Sequence, residues 1–313
     1  MSQQVYDIVT DRILTLLRQG VVPWKRPWKS AGSSALPMNL VSGRAYRGIN
    51  LFLLISQGFG SPYWLTFKQA LHLGGHVRRG ERGTPIVFWR ILDDTTSDDY
   101  DEDPSSHGHR RILLRYYTVF NVDQCDGITD PAPSPDQDAS FDPIPACESV
   151  YAKMPNPPLL RHSGDRAFYR RSEDLVQMPK PEAFSRPERY YSTLFHELAH
   201  STGHPSRLNR FAQEDNDGVF GSPSYAREEL VAEMTAAMIC GFLGIHPVQV
   251  ESFSAPGQEV ILAASASYIQ HWIDVLEEDR RAVVIAAARA QKAADFILGF
   301  PHQVESLESE EAA

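Results

Sequence analysis

Residues 188–204 read ERYYSTLFHELAHSTGH and contain His196, Glu197 and His200 as H-E-x-x-H. On a helix, residues four apart project from one face, so the two histidines can reach a single metal ion at about 2.0–2.1 Å. Glu197 sits one position round, placed to take a proton from a metal-activated water. Tyr191, Leu194, Phe195 and Leu198 fall on the opposite face, which predicts a helix that buries one side and offers its histidines on the other. Gly203 and Pro205 end it. His204 is reminiscent of the longer H-E-x-x-H-x-x-G-x-x-H pattern, but Ser206 stands where that pattern has its last histidine, so His204 is read as structural.

A catalytic site of this kind needs a third protein ligand. Downstream, Ser222 and Pro223 make a helix start, and SYAREELVAEMTAAMICGFLG runs from 224 to 244 as an amphipathic helix with Leu230, Met234, Ala237 and Met238 along its core stripe. Glu229 and Glu233, four apart, share another face. Glu229 is assigned as the third ligand and Glu233 as the carboxylate that holds a ligand histidine through its second ring nitrogen. The plainer reading is that these glutamates, Glu228 included, are solvated surface charges. Tyr225, one helical turn before Glu229, is a candidate donor to an oxyanion, with core packing as the alternative.

Around this site the chain is electrically two objects. Its 313 residues carry a net charge of -10, yet residues 1–92 hold 12 Lys and Arg against 3 Asp and Glu, leaving 18 against 37 for residues 93–313. Four of the five tryptophans, Trp24, Trp28, Trp64 and Trp89, lie in the basic part. Cations beside aromatic rings suit a polyanion with exposed bases, so a nucleic acid is the expected partner, the plainer alternative being a small basic domain whose tryptophans are simply core. The candidate groove comprises Trp24, Lys25, Arg26, Trp28 and Lys29 in VVPWKRPWKS and Arg44, Tyr46 and Arg47 in SGRAYRGIN. Trp64 and Lys68 in WLTFKQA and Arg78, Arg79 and Arg82 in HVRRGERG complete it.

Residues 3–19 have helical apolar spacing, SGRAYRGINLFLLISQG leads into a second helix and WLTFKQALHLGG into a third. TPIVFWRIL and RILLRYYTVFNV form a strand pair around the acidic insertion DDTTSDDYDEDPSSHGH, to which no function is attached. Residues 126–145 contain five prolines and read as a linker, which divides the chain into a DNA-binding domain (1–125), a metallopeptidase domain (146–300) and an acidic tail (301–313). Three scattered cysteines, Cys125, Cys147 and Cys240, exclude a disulfide framework, and neither a signal peptide nor a transmembrane run is legible, so a cytoplasmic protein without a membrane partner is expected.

The ordered motifs GVVPWKRPW, SGRAYRGIN, WLTFKQA, GGHVRRGERGTPIVFW, HELAHSTGHPSRLNR, YAREELVAE and SYIQHWIDVL resemble the ArdC antirestriction family of conjugative plasmids and mobile elements over roughly residues 3–298. The N-terminal part is also similar to the leading segment of plasmid TraC primases. The resemblance implies an α+β, two-domain protein: a small basic domain that binds single-stranded DNA, and a mainly helical zincin-like metallopeptidase domain. It implies service in establishing a plasmid in a new host. The expected cofactor is one divalent metal ion, zinc in the first instance with manganese or another transition metal as alternatives, and the peptide or protein substrate is open. The rival reading is a purely DNA-protecting protein whose metal site is structural or vestigial. An intact Glu197 argues against it, since a structural site needs no general base.

Overall fold

Val5, Val9, Ile13, Leu14 and Leu17 return every three or four residues, and all five are buried on one face of helix α1 (Ser2–Arg18). In the computed structural model, residues 2–24, 36–92, 111–131, 143–184, 186–213, 223–245 and 269–300 are described. After α1 come β1 (Met38–Asn39), α2 (Ile49–Ile55), β2 (Tyr63–Thr66), α3 (Phe67–His72), β3 (His76–Val77), β4 (Thr84–Leu92), β5 (Arg111–Asn121) and β6 (Cys125–Asp126). The expected strand pair forms, with β4 antiparallel to β5 from Thr84↔Val119 to Leu92↔Arg111, inside a sheet ordered β1-β2-β5-β4.

WLTFKQALHLGG is not one helix. Trp64 and Leu65 pair with Asn121 and Phe120 across β5, and the helix begins only at Phe67. Thr66 stops the strand and starts the helix, because its hydroxyl accepts from the Gln69 backbone N–H at 3.2 Å while the Gln69 side chain accepts from the Thr66 N–H at 2.9 Å.

The second region comprises α4 (Pro143–Lys153), β7 (Leu159–His162), β8 (Phe168–Arg170), β9 (Leu175–Met178), α5 (Pro187–Ser201) and α6 (Pro223–Leu243), then a helical stretch over 269–278 and α7 (Ala282–Ile297). Its sheet is ordered β7-β9-β8, with β7 parallel and β8 antiparallel to β9. The architecture is thus α+β with two regions, each carrying its own sheet. The linker expected over 126–145 is shorter at both ends: Asp126 pairs with His76 in a strand, and α4 starts at Pro143. Prolines 143 and 145 sit in the first turn, where an absent N–H costs no intrahelical bond. The acidic insertion and the tail lie outside the described residues.

A tethered basic module is not what the packing shows. One hydrophobic core runs through Val9 and Ile13 of α1, Phe52 of α2, Phe195 of α5, Leu230 of α6, Trp272 of the 269–278 helical stretch and Val283 of α7. Polar contacts fasten the same seam. Arg47 forms an ion pair with Asp295, the Gly48 N–H donates to Gln291 Oε1 at 3.0 Å, Thr10 Oγ1 donates to the Arg280 carbonyl at 2.6 Å, and Arg280 pairs with Asp7 and Asp11. Trp24, expected to stack on a base, is 2% exposed, with its ring edge-on to Trp272 at 5.3 Å and to Phe52 at 6.2 Å. The segment that looked like an exposed platform is anchored at its start by the fold's shared core.

Replacing Trp24 with alanine empties that position, and the expected result is a loss of about 3–5 kcal/mol in stability, read by denaturant unfolding of the full chain. A variant within about 0.5 kcal/mol of the parent would return Trp24 to the surface.

Candidate metal centre

Helix α5 starts with Pro187 at its first turn and packs Tyr191, Leu194, Phe195 and Leu198 into the core. That fixes its rotation and turns His196 and His200 toward α6. Helix α6 buries Ala226, Leu230 and Met234, and this presents Glu229 to the two imidazoles. His196 Nε2 and His200 Nε2 lie 3.1 Å apart, and each is 3.5 Å from an oxygen of Glu229. Ligand bonds of about 2.0–2.1 Å in a tetrahedron put donor atoms roughly 3.3–3.4 Å from one another. The donor set therefore has the dimensions of one face of a metal coordination shell, and it is two nitrogens and a carboxylate oxygen, a borderline set suited to a divalent transition metal. Glu197, the next residue on α5, is buried. Tyr225 lies half-buried on α6, one turn ahead of Glu229.

The support of the histidine differs from the expectation. Glu228, not Glu233, stands behind the site: His200 Nδ1 donates to Glu228 Oε1 at 3.1 Å. Adjacent residues on a helix point about 100° apart, so Glu229 can face the centre while Glu228 reaches the back of the imidazole. Glu233, one turn further on, acts on His196 through its charge. Glu228 is held by Arg210, whose Nε donates to Oε2 at 3.0 Å and Nη2 to Oε1 at 2.5 Å. The same guanidinium donates to the Ala199 carbonyl at 2.7 Å and to Thr202 Oγ1, tying the end of α5 to α6. Arg210 was not singled out by the sequence, since nothing in its spacing marks a side chain that arrives from a loop.

That loop is itself packed for the purpose. A Cβ on Gly203 would lie 2.4 Å from the Phe211 ring, so only glycine lets Phe211 close over the helix end, and Arg171 caps the other side of the ring at 3.6 Å. His204 bonds Ser206 Oγ through Nδ1 at 2.7 Å and takes no part in the three-donor cluster, as the sequence reading had it. Burial pushes the Cys147 and Cys240 thiols up to about 12, which keeps both as neutral core residues.

The electrostatics follow from burying four ionisable groups together. Burial pulls the His200 imidazole down, but its bonds to Glu228 and Glu229 outweigh that and hold it well above the ordinary imidazole range. His196 is raised in the same way by Glu229. Burial pushes the Glu229 carboxyl up, and the two histidines more than reverse this; Glu228 is likewise held low, chiefly by Arg210. Without metal, the raised histidines contribute stability at acid pH that is lost as pH rises through their folded values. The lowered glutamates contribute stability at neutral pH that is lost in acid.

The residues expected to hold DNA separate into three groups. Trp64, 2% exposed, and Tyr46, 8% exposed, are core residues with no face left for a base; together with Trp24 they correct the expected stacking platform. Their β-sheet and loop positions pack inward because the adjoining Leu54, Ile86 and Val119 form a small core around them. Arg47 is paired with Asp295, and Arg78 with Glu81 at 2.9 Å and Asp126 at 3.6 Å. Arg44, Lys68, Arg79 and Arg82 are exposed and form no ion pair among the described residues. Lys25, Arg26, Trp28 and Lys29 lie outside the described residues.

Two measurements check the centre. Glu228→Ala is expected to weaken divalent-metal binding about 10- to 100-fold by calorimetry, more than Glu233→Gln does. Because Glu228 and Glu229 raise the metal-free imidazoles, His200 most, and coordination needs them neutral, metal binding displaces protons, so affinity is expected to fall from pH 8 to pH 6 with proton release detectable in buffers of different ionisation enthalpy.

Comparison with known proteins agrees with this layout. The family model of the N-terminal domain of anti-restriction factor ArdC matches residues 3–120, and that of a zincin-like metallopeptidase matches residues 155–289. Among relatives, a DNA primase TraC of Escherichia coli is 36% identical over 313 residues, with 96% of this chain and 27% of that protein covered. This chain thus spans about a quarter of that primase. An uncharacterized protein y4eC of Sinorhizobium fredii is 36% identical over 299 residues, covering 94% of this chain and 91% of its own length. The crystal structure of the antirestriction ArdC protein from plasmid R388, metal-free, superposes with a TM-score of 0.70 at 33% identity, covering 95% of this chain and 99% of that one. Its Mn(II)-bound form gives 0.70 at 34% identity, covering 94% and 97%. With the order of elements, both family models and full-length structures in agreement, the chain belongs to the ArdC antirestriction family.

Proposed function

We propose that this protein is an antirestriction factor that binds single-stranded DNA through its N-terminal region and cleaves a peptide bond at the centre between α5 and α6, aiding establishment of incoming plasmid DNA. The observation that carries the hydrolytic part is the convergence of His196, His200 and Glu229 beside the buried Glu197. These three residues would hold the metal, with zinc proposed for a two-imidazole, one-carboxylate set and manganese as the alternative favoured by the Mn(II)-bound relative. When bound, the metal polarises a substrate carbonyl and acidifies water. Glu197 then takes the water's proton and returns it to the leaving amine. Tyr225 donates to the oxyanion. Glu228, backed by Arg210, keeps Nδ1 of His200 protonated, so that Nε2 carries the lone pair.

The DNA-binding part rests on the basic charge of residues 1–92 and on exposed cations, such as Arg44, Lys68, Arg79 and Arg82, that form no ion pair among the described residues. Among the described residues no helix is long and apolar enough to cross a membrane, and the proposed setting is the cytoplasm, where incoming strands and their partner proteins meet.

The test compares the metal-loaded protein with Glu197→Gln in host cell extract, with and without single-stranded DNA. Host proteins lost only with the parent are expected, at a rate at least about 100-fold above the variant, with metal content unchanged in both. Equal extracts, with DNA still shielded from nuclease by both proteins, would replace the peptidase by the protective, binding-only reading.

A further inference from the structure

Trp24, Tyr46 and Trp64 are in the core and Trp28 is outside the described residues, so the exposed rings of the described basic region lie elsewhere, on strand β5 and beside it. Alternate residues of a strand face opposite sides. Val119 and Asn121 are fully buried against Trp64 and Ile86, so that face is core. Tyr116, Thr118 and Phe120 face the other way; there Tyr116 is 49% exposed and Thr118 is exposed, while Phe120 is partly buried against Leu65, Ala70, Val122 and Cys125. Phe67, at the start of α3, is 50% exposed and meets Phe120 edge-to-face at 6.4 Å. A tyrosine and a phenylalanine half in water on one side of a sheet are costly unless something covers them.

At the Phe120 end the face is closely packed, because the missing side chain of Gly83 lets Thr118 and Phe120 lie against the backbone of β4. Gly83 precedes Thr84, which pairs with Val119, so a side chain at 83 would stand beside Phe120. A Cβ there would lie 2.2 Å from Thr118 Cγ2 and 3.0 Å from the Phe120 ring. Cations border the strip: Lys68 follows Phe67, and Arg79 and Arg82 lie in the turn that leads to Gly83. None of the three has an ion pair among the described residues, and the one acid of that turn, Glu81, is already engaged by Arg78 at 2.9 Å and by Gln124 at 3.0 Å. Unpaired positive charge beside half-exposed rings favours a strand with phosphates and unpaired bases over an apolar protein surface.

We propose that the outward face of β5, where Tyr116 and the neighbouring Phe67 present exposed rings beside the partly buried Phe120, with Lys68, Arg79 and Arg82 in the adjoining segments, is the track on which single-stranded DNA stacks. Phe120 and Tyr116 are four residues apart, about 13 Å along the strand, long enough for several bases. The track depends on the DNA-binding part of the function proposed above and locates it on residues that the sequence did not single out, Phe67, Tyr116 and Phe120.

The experiment uses the full chain and a fluorescent deoxythymidine 20-mer, with anisotropy read across a salt series. Phe67→Ala and Tyr116→Ala, both at exposed positions, are each expected to weaken binding at least about fivefold with the salt slope unchanged. Lys68→Gln with Arg82→Gln is expected to weaken binding and reduce the log-log salt slope by about 0.7 per lost phosphate contact. Tyr117→Ala, on the opposite face, is expected to retain parental affinity. Unchanged binding by both ring variants, or an equal loss with Tyr117→Ala, overturns the track while leaving DNA binding in place. A parent that binds no oligonucleotide overturns the proposed DNA binding and the track together. Circular dichroism of each variant separates lost contact from lost fold, and Phe67→Tyr, which keeps a ring, is expected to restore binding if stacking is the cause.

Discussion

The contact on which the metal centre depends is the buried pairing of Glu228 with Arg210. Two carboxylates occupy adjacent positions on α6, both buried and both within reach of the same histidine. Left to themselves, neighbouring buried carboxylates repel and one takes up a proton. Arg210, inserted from the segment after α5, supplies the charge that keeps Glu228 ionised while the two histidines do so for Glu229, and its bonds to Ala199 and Thr202 fix the end of α5 at the same time. Neutralising the site's charge and setting the spacing between α5 and α6 are therefore one arrangement. The aromatic lock of Gly203, Phe211 and Arg171 keeps that segment where the guanidinium is needed.

A second consequence concerns how the two regions work together. The helices of the basic region do not hang from a linker: α1 and α2 complete the core that α5, α6 and α7 begin, and Arg47 closes over a buried Asp295. Helix α7 packs against α6, where Thr235 Oγ1 donates to the Ala290 carbonyl at 3.3 Å, so the element that receives Arg47 is also the one that braces the metal-bearing helix. Some of the basic residues near the N-terminus thus serve the fold rather than a polyanion. Among the described residues of the basic region, Lys68, Arg79, Arg82 and Arg44 form no ion pair.

Much of this was legible in the sequence, and the reasons are local. The H-E-x-x-H spacing, the apolar stripe opposite it and the glutamate-rich helix downstream each encode a face, and faces follow from helical period alone. That Glu229 meets His196 and His200 was reachable in the same way. So were α1, the β4–β5 pair and the passive role of His204, because capping, alternation and the Ser206 mismatch act within a few residues. The split of WLTFKQALHLGG was missed since a capping box at Thr66 and cross-strand pairing at Trp64 outweighed the helical pattern of the segment as a whole.

What the sequence by itself determined was therefore the donor set, the charge division and the identity of most elements, each a property of short-range order. Tertiary structure alone decided which of three glutamates backs the histidine, that Arg210 arrives to neutralise it, and that Trp24, Tyr46 and Trp64 turn inward while Phe67 and Tyr116 turn out. The physical reason is the same in each case. Composition fixes what a ring or a charge can do, but burial and pairing depend on which surface closes over it: Trp272 over Trp24, Ile86 and Val119 over Trp64, and Arg210 over Glu228.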